Sequence, residues 1–258
     1  MYPILFQFGS FKLHAWGLML LIGFLAAVWR ATKAAPRYHF DPGAVWDCSL
    51  LGLFGGVLGG RLAFILQELP YYSKHPTEIL MIWTGGMTSI GGLVGGLGVG
   101  LWAARKRKFH IGDAADLAAV SVPIGYFFGR LGCFLNGCCY GTKCDAPWAM
   151  SFKDEAGLIH DHVHPTQLYA MVAALAIFAV LAWRERQPRL RYRGELLPLF
   201  SVLYGIYRFV VEVWRAQSEA HPPGGGLSSG QWAALAMVLV GLGLFFFLPK
   251  RTDDSRAI

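Results

Sequence analysis

Seven apolar stretches, each long enough to cross a bilayer, leave this chain few folds to adopt. They run His14–Trp29, Ala44–Leu66, Ile79–Ala104, Ala114–Cys133, Gln167–Trp183, Leu196–Trp214 and Gln231–Leu248. A helix needs about 17–25 residues to span the hydrocarbon core. Inside that core every backbone group must be paired, which restricts spanning structures to helices and closed barrels. Stretches of this length read as helices. Only 15% of the 258 residues are charged, against about 25% in soluble domains. The expectation is an all-α integral membrane protein with seven transmembrane helices in a single polytopic domain, residues 1–258. Residues 1–13 lack the basic region and small-residue cleavage site of a signal peptide, so the first helix is expected to be retained.

The basic residues orient the chain. Arg30, Lys33 and Arg37 follow the first stretch, and Arg105, Lys106, Arg107 and Lys108 the third. Arg184, Arg186, Arg189, Arg191 and Arg193 follow the fifth, and Lys250, Arg251 and Arg256 the seventh. These four segments, all on one side, hold 15 of the 23 lysines and arginines; the opposite segments hold five, Lys12, Lys74, Lys143, Lys153 and Arg215. Basic loops stay cytoplasmic, so the N-terminus is expected outside and the C-terminus in the cytoplasm. The net charge of +7 is then a signal of topology. Nucleic-acid binding would need a soluble basic face.

Three arginines remain, Arg61, Arg130 and Arg208, all within or at the ends of apolar stretches. An arginine in the membrane costs from about 2.5 to more than 10 kcal/mol depending on the reference. A counter-ion, a water-filled cavity or an anionic ligand offsets that cost. Tyr204, Arg208 and Glu212 recur every four residues and share one helical stripe. Glu212 either pairs with Arg208 as simple compensation or orients it toward Arg130 across a polar cavity. Two converging guanidinium groups match a phosphate.

The glycines pattern the helices. Gly52/Gly56/Gly60 and Gly92/Gly96/Gly100 follow the small-xxx-small spacing that lets helices pack closely in lipid. Gly85-Gly86, with Thr84, Thr88 and Ser89, interrupts the third stretch, and a broken or re-entrant helix there must line protein or water. Cys133, Cys138, Cys139 and Cys144 fall within twelve residues. On the external side they offer a redox alternative. A zinc site is disfavoured because adjacent Cys138-Cys139 lacks the usual two-residue spacing. His160, His162 and His164 alternate without a fitting partner, and no metal is assigned.

Gly129-Arg130-Leu131-Gly132-Cys133-Phe134-Leu135-Asn136-Gly137, ending at Gly141, resembles the signature of prolipoprotein diacylglyceryl transferases. The resemblance extends along nearly the whole chain. His14-Ala15-Trp16-Gly17-Leu18-Met19 and Gly60-Arg61-Leu62 resemble family blocks, as do Trp83-Thr84-Gly85-Gly86-Met87 and His164-Pro165-Thr166-Gln167-Leu168-Tyr169. So do Tyr204-Gly205-Ile206-Tyr207-Arg208-Phe209 with Glu212 and Arg215, and Leu227-Ser228-Ser229-Gly230-Gln231. Departures are Trp16 for a tyrosine, Cys133 for an asparagine, Cys138 for an acidic residue, and Ile90 where the family commonly has a histidine proposed as the thiol-activating base.

The resemblance implies a multi-pass enzyme of the bacterial inner membrane. It moves the diacylglyceryl group of phosphatidylglycerol to the lipobox cysteine of prolipoprotein signal peptides and releases glycerol phosphate, with no cofactor. Arg130, Arg208 and Glu212 are the expected catalytic residues. Arg130, Arg208, Asn136, Gly141, Tyr204, His14, His164 and Gln167 are expected to bind substrate, and His14, His164 or Glu212 to replace the missing base. Two other classes remain: a thiol oxidoreductase built on Cys133, Cys138, Cys139 and Cys144, and a non-catalytic lipid-binding paralogue.

Overall fold

The structure is a computed structural model and describes residues 4–8, 11–81, 85–153, 158–187, 192–215 and 226–247. Trp83, Thr84, Arg189, Arg191, Lys250, Arg251 and Arg256, all used above, lie outside these. The fold is mostly helical and divides into two compact units, Ala31–Ala114 and Met1–Arg30 with Ala115–Ile258.

In the unit of residues 31–114, helix α2 (Pro42–Gln67) starts with Asp41 accepting from the Ala44 amide at 2.7 Å and Pro42 in the first turn. Both are favoured at a helix start. A short helix α3 (Leu69–Tyr72) and a 3₁₀ turn (Pro76–Leu80) follow, and α4 begins only at Ser89 (Ser89–Lys106). The interruption read from Gly85-Gly86 in the stretch Ile79–Ala104 is thus a break in the backbone, with the helix starting only after it. Gly85 and Gly86 have φ of 89° and 77°, which a helix cannot contain, and Thr88 caps α4 through the Gly91 amide at 3.2 Å. The two glycine rows do pack α2 on α4: a methyl at Gly56 would lie 3.8 Å from Gly96 Cα and one at Gly60 3.6 Å from Gly92 Cα, and a methyl at the adjoining Gly59 only 2.8 Å from Gly95 Cα.

Arg61, 4% exposed, explains how the break is tolerated. It donates to the carbonyls of Glu78 (2.6 Å), Ile79 (3.1 Å), Gly85 (2.7 Å) and Gly86 (3.1 Å), and its guanidinium lies over the Tyr72 ring. Carbonyls freed by the broken helix need donors in an apolar setting. One guanidinium supplies them.

The other unit opens with a hairpin of β1 (Ile4–Phe8) and β2 (Phe11–His14), which runs into α1 (Ala15–Ala34, shared across the boundary). It continues with α5 (Ile111–Asn136, shared across the boundary), a second hairpin of β3 (Met150–Lys153) and β4 (Ile159–Val163), α6 (Thr166–Arg186), α7 (Leu196–Glu212) and α8 (Ser229–Phe247). The two hairpins are additions to the all-α expectation. Ala119, Val120, Ile177, Leu181 and Leu196 form a buried core where α5, α6 and α7 meet. Asp116, fully buried, accepts from the amides of Gly194, Leu196 and Leu197 and satisfies the start of α7. Arg184 clasps Glu195 with two bonds of 3.0 Å, so that turn is fixed.

Among the described residues, five helical segments are long and apolar enough to cross a membrane: Ala15–Tyr38, Pro42–Gln67, Ile111–Asn136, Thr166–Arg186 and Ser229–Phe247. The other two expected spans are shorter helices. Six of the 18 residues of α4 are glycine, and α7 has 17 residues.

Candidate active site

Arg130 and Arg208 line one small pocket with Tyr126, Cys139, Thr166, Tyr207, Val211 and Arg215. Tyr126 precedes Arg130 by four residues on α5, which stacks the two on one helical face. The guanidinium carbon of Arg130 stands 5.0 Å from the Tyr126 ring centre, a cation–π contact. The Tyr126 hydroxyl lies 3.2 Å from that of Tyr207. Among the described residues Arg130 has no carboxylate partner. Arg208 is different: it pairs with Glu212 one turn along α7, while Arg215 Nε lies 4.0 Å from the same carboxylate oxygen. Two of the three guanidinium groups thus share one carboxylate and Arg130 adds a third positive charge, leaving an excess of positive charge in a polar space.

Glu212 is 6% exposed and is held from a second helix. Ser228 precedes α8 and forms a reciprocal cap with Gln231: the Ser228 amide donates to Gln231 Oε1 at 2.9 Å, and the Gln231 amide donates to Ser228 Oγ at 3.1 Å. The same hydroxyl donates to Glu212 Oε1 at 3.3 Å. Gly230 leaves the necessary room, since a methyl there would lie 2.7 Å from Glu212 Cδ and 3.2 Å from Arg208 Nη2. The Leu227–Gln231 block therefore acts on the pocket through the carboxylate that orients Arg208.

A second cavity shares the Tyr126 wall. Val122, Pro123, Ala174, Ile177, Phe200 and Tyr204 line it with Tyr126. Pro123 sits inside α5, where it removes one helical hydrogen bond. Tyr204 packs edge-on against Tyr126 with ring centres 5.5 Å apart. Arginine pocket and apolar cavity meet across one aromatic side chain.

Helix α5 ends in a Schellman motif: the Gly137 amide bonds the Phe134 carbonyl (3.2 Å), the Cys138 amide bonds the Cys133 carbonyl (3.1 Å), and Gly137 is left-handed at φ 74°. Cys139 is left-handed too, at φ 63°. Two residues at the start of α6 hold this turn: Gln167 Nε2 donates to the Cys138 carbonyl (2.8 Å) and Thr166 Oγ1 to the Cys139 carbonyl (2.7 Å). The sulfurs of Cys133, Cys138 and Cys139 lie within 4.8 Å of one another. Hydrogen bonds from the Cys133 and Cys138 thiols hold the Cys139 thiol well below the ordinary thiol range; burial opposes this, and the guanidinium groups of Arg130 and Arg215 reinforce it. Cys144 stands outside the trio, its sulfur accepting from the Ala146 amide at 3.3 Å. All five cysteines are free thiols.

The remaining expected site residues separate. Asn136 closes α5 directly before the turn. The Gly141 amide donates to the His164 carbonyl (2.8 Å), and a methyl on Gly141 would press on His164 Cβ at 2.7 Å, so close backbone approach requires glycine there. His164 Nδ1 meets the Tyr169 hydroxyl at 3.1 Å, and its ring faces Trp214 at 5.7 Å. It belongs to an aromatic cluster and does not line the arginine pocket. His14 is exposed at the end of β2 and is likewise absent from the lining. His160 stacks on Tyr140, and among the described residues the three alternating histidines form no common cluster. Ile90 is 78% exposed in the first turn of α4. Tyr126, Tyr207 and Thr166 were not singled out from sequence; Tyr126 was accessible as the residue one turn before Arg130.

Together these features define a class: a multi-pass helical membrane protein with an arginine-lined pocket beside an apolar cavity. The sequence profile of prolipoprotein diacylglyceryl transferases matches residues 3–247, and the chain belongs to that family. It is 37% identical to the phosphatidylglycerol–prolipoprotein diacylglyceryl transferase of Methylobacillus flagellatus, over 96% of this chain and 97% of that protein. The enzymes of that name from Bordetella parapertussis (37% identical, 96% and 95% covered) and Vibrio vulnificus (36% identical, 96% and 92% covered) are similar to the same extent.

Proposed function

We propose that this chain transfers the diacylglyceryl group of phosphatidylglycerol to the cysteine thiol of a prolipoprotein. The observation that carries the reading is the pairing of Arg130 and Arg208 in one pocket that adjoins an apolar cavity across Tyr126. The lipid phosphate lies between the two guanidinium groups, and its acyl-bearing glycerol extends toward Pro123, Ile177 and Phe200. The acceptor thiolate attacks the glycerol carbon that bears the phosphate. A C–S bond forms, the C–O bond breaks, and glycerol phosphate leaves with the electron pair. Negative charge grows on the departing phosphate, where fixed guanidinium donors stabilise it most. Glu212 keeps Arg208 in place, and Tyr126 gives Arg130 a face to rest on without neutralising it.

A free thiol is only a few per cent ionised at neutral pH. The excess positive charge lowers the pKa of an incoming thiol, so its proton is lost to water without a dedicated histidine. Asn136, Gly141 and Gln167 shape the turn beside the pocket, and Tyr204 the lipid cavity. His14 and His164 act at the acceptor side, where the lipobox of the signal peptide enters. Seven crossings in one integral domain, with an external N-terminus and a cytoplasmic C-terminus in a bacterial inner membrane, complete the reading. The alternation of basic segments supports it, with α4 and α7 as the shorter crossings.

The test is transfer in vesicles. Purified protein with phosphatidylglycerol and a lipobox peptide should yield a thioether-linked diacylglyceryl peptide by mass spectrometry. Vesicles of phosphatidylcholine alone should yield none. Absence of product in both would reject the reading.

A further inference from the structure

We propose that Cys133, Cys138 and Cys139 form a three-sulfur site for a thiophilic d¹⁰ cation, of the zinc, cadmium or copper(I) class, in the wall of the arginine pocket. The proposal stands apart from the transferase reading, because it rests on the turn after α5 and is tested by binding alone.

The backbone creates the site. A Schellman motif brings the third residue from the helix end against the second residue beyond it, normally as an apolar contact. Here those two positions are Cys133 and Cys138. The left-handed conformation of Cys139 then turns its sulfur back onto the same pair. A non-glycine residue in that region is strained and persists only where its surroundings over-determine it. Thr166 and Gln167 do so by holding the two cysteine carbonyls. A ligand thus meets the sulfurs already gathered.

The distances fit. Thiolate sulfurs lie about 2.3 Å from zinc, which places them about 4 Å from one another. The three sulfurs lie within 4.8 Å, so side-chain rotation alone closes the difference. Gln167 adds a second observation. It is fully buried with its Nε2 committed to Cys138, and its Oε1 has no hydrogen-bond partner among the described residues. Buried unpaired acceptors are rare and call for a water or an ion. A carbonyl oxygen anchored beside the trio serves as a fourth ligand or as acceptor for a metal-bound water.

Charge supports the same assignment. Three thiolates around a dication carry a net charge of −1, and a buried anion needs compensation. Arg130, Arg208 and Arg215 line the pocket to which Cys139 contributes. Loading forms three metal–sulfur bonds, and each thiol that binds releases its proton to the medium.

Reduced protein in detergent, titrated with Cd²⁺, tests the proposal through the ultraviolet thiolate-to-cadmium charge-transfer band. One equivalent should saturate the band. Cys133→Ser, Cys138→Ser and Cys139→Ser should each weaken binding at least about tenfold, whereas Cys48→Ser and Cys144→Ser should not. Competition by Zn²⁺ and by Cu⁺ in separate arms distinguishes which cation the site prefers. A band that fails to saturate at one equivalent, or that depends on Cys48 or Cys144, would overturn the proposal. Alkylation mapping of the wild-type protein avoids reliance on variants that misfold. Bound Cd²⁺ should slow maleimide labelling of Cys133, Cys138 and Cys139 together by about tenfold or more, and equal labelling with and without metal would refute the site.

Discussion

The hydroxyl of Ser228 donates to Glu212 Oε1 at 3.3 Å, so the residue that caps α8 also secures the carboxylate that orients Arg208 on α7. Ser228→Ala removes a helix cap, typically worth about 1 kcal/mol, and a hydrogen bond to a charged group, worth about 1.5–3 kcal/mol. Transfer is expected to fall about tenfold, equivalent to about 1.4 kcal/mol of transition-state stabilisation. Ser228→Thr should restore most of it. A purely structural role would lower thermal stability in step with activity, and Gly230→Ala separates the two. Its methyl presses on Glu212 and Arg208 without removing the cap, so turnover should drop while the melting temperature changes little. Kinetics and thermal unfolding of the three variants make the comparison.

Arg61 and Arg130 look alike in sequence, and the structure gives them opposite work. Arg61 spends its donors on four backbone carbonyls around the break before α4. A buried acceptor left unpaired costs about 1–3 kcal/mol. Arg61→Ala should therefore destabilise the protein by at least about 3 kcal/mol and lower its yield in membranes. Arg61→Lys should recover only part of this, since an ammonium cannot span carbonyls arranged for a planar fork. Unfolding of the variants in detergent provides the measurement, and wild-type stability of Arg61→Ala would contradict the assignment.

The cavity beside Tyr126 carries a separate expectation. Ala174 is 2% exposed and lines it, so Ala174→Phe fills space that the account gives to an acyl chain. Overpacking also costs about 1–3 kcal/mol of stability, so lipids of different chain length are compared within the same variant. Transfer from long-chain phosphatidylglycerol should fall about tenfold, against an order-of-magnitude barrier change of 1.4 kcal/mol, with a smaller loss for short-chain lipid. Equal losses would detach the cavity from lipid binding.

How much of this was legible in the residues differs from element to element. Apolar length gave α1, α2, α5, α6 and α8, because burial in lipid leaves a direct compositional trace. The paired positive-φ glycines gave the break before α4, since Gly85-Gly86 cannot continue a helix. The hairpins at Ile4–His14 and Met150–Val163 were missed; strands of four or five residues carry too little periodicity. The Arg130–Arg208 pairing followed from the cost of embedded charge. The cysteine trio did not, because the spacing argument assumed a two-residue knuckle, whereas a helix C-cap brings residues five apart together. Gly137 after an apolar helix was the available signal. His164 was expected to bind substrate from the family block alone; its contact with Trp214 depends on a residue distant in sequence and left no local trace.

Arg130, which has no carboxylate partner among the described residues, is the centre of the account, and Arg130→Ala in phosphatidylglycerol vesicles tests it most directly. Losing a fixed donor to a developing anion commonly costs about 10²–10³ in rate. The expected result is a loss of that size with a lipobox peptide as acceptor, while membrane insertion and melting temperature stay near the wild type. Arg130→Lys should remain poor, because an ammonium cannot reproduce a bidentate fork. Transfer by Arg130→Ala at close to the wild-type rate would contradict the phosphate-binding role of this pocket.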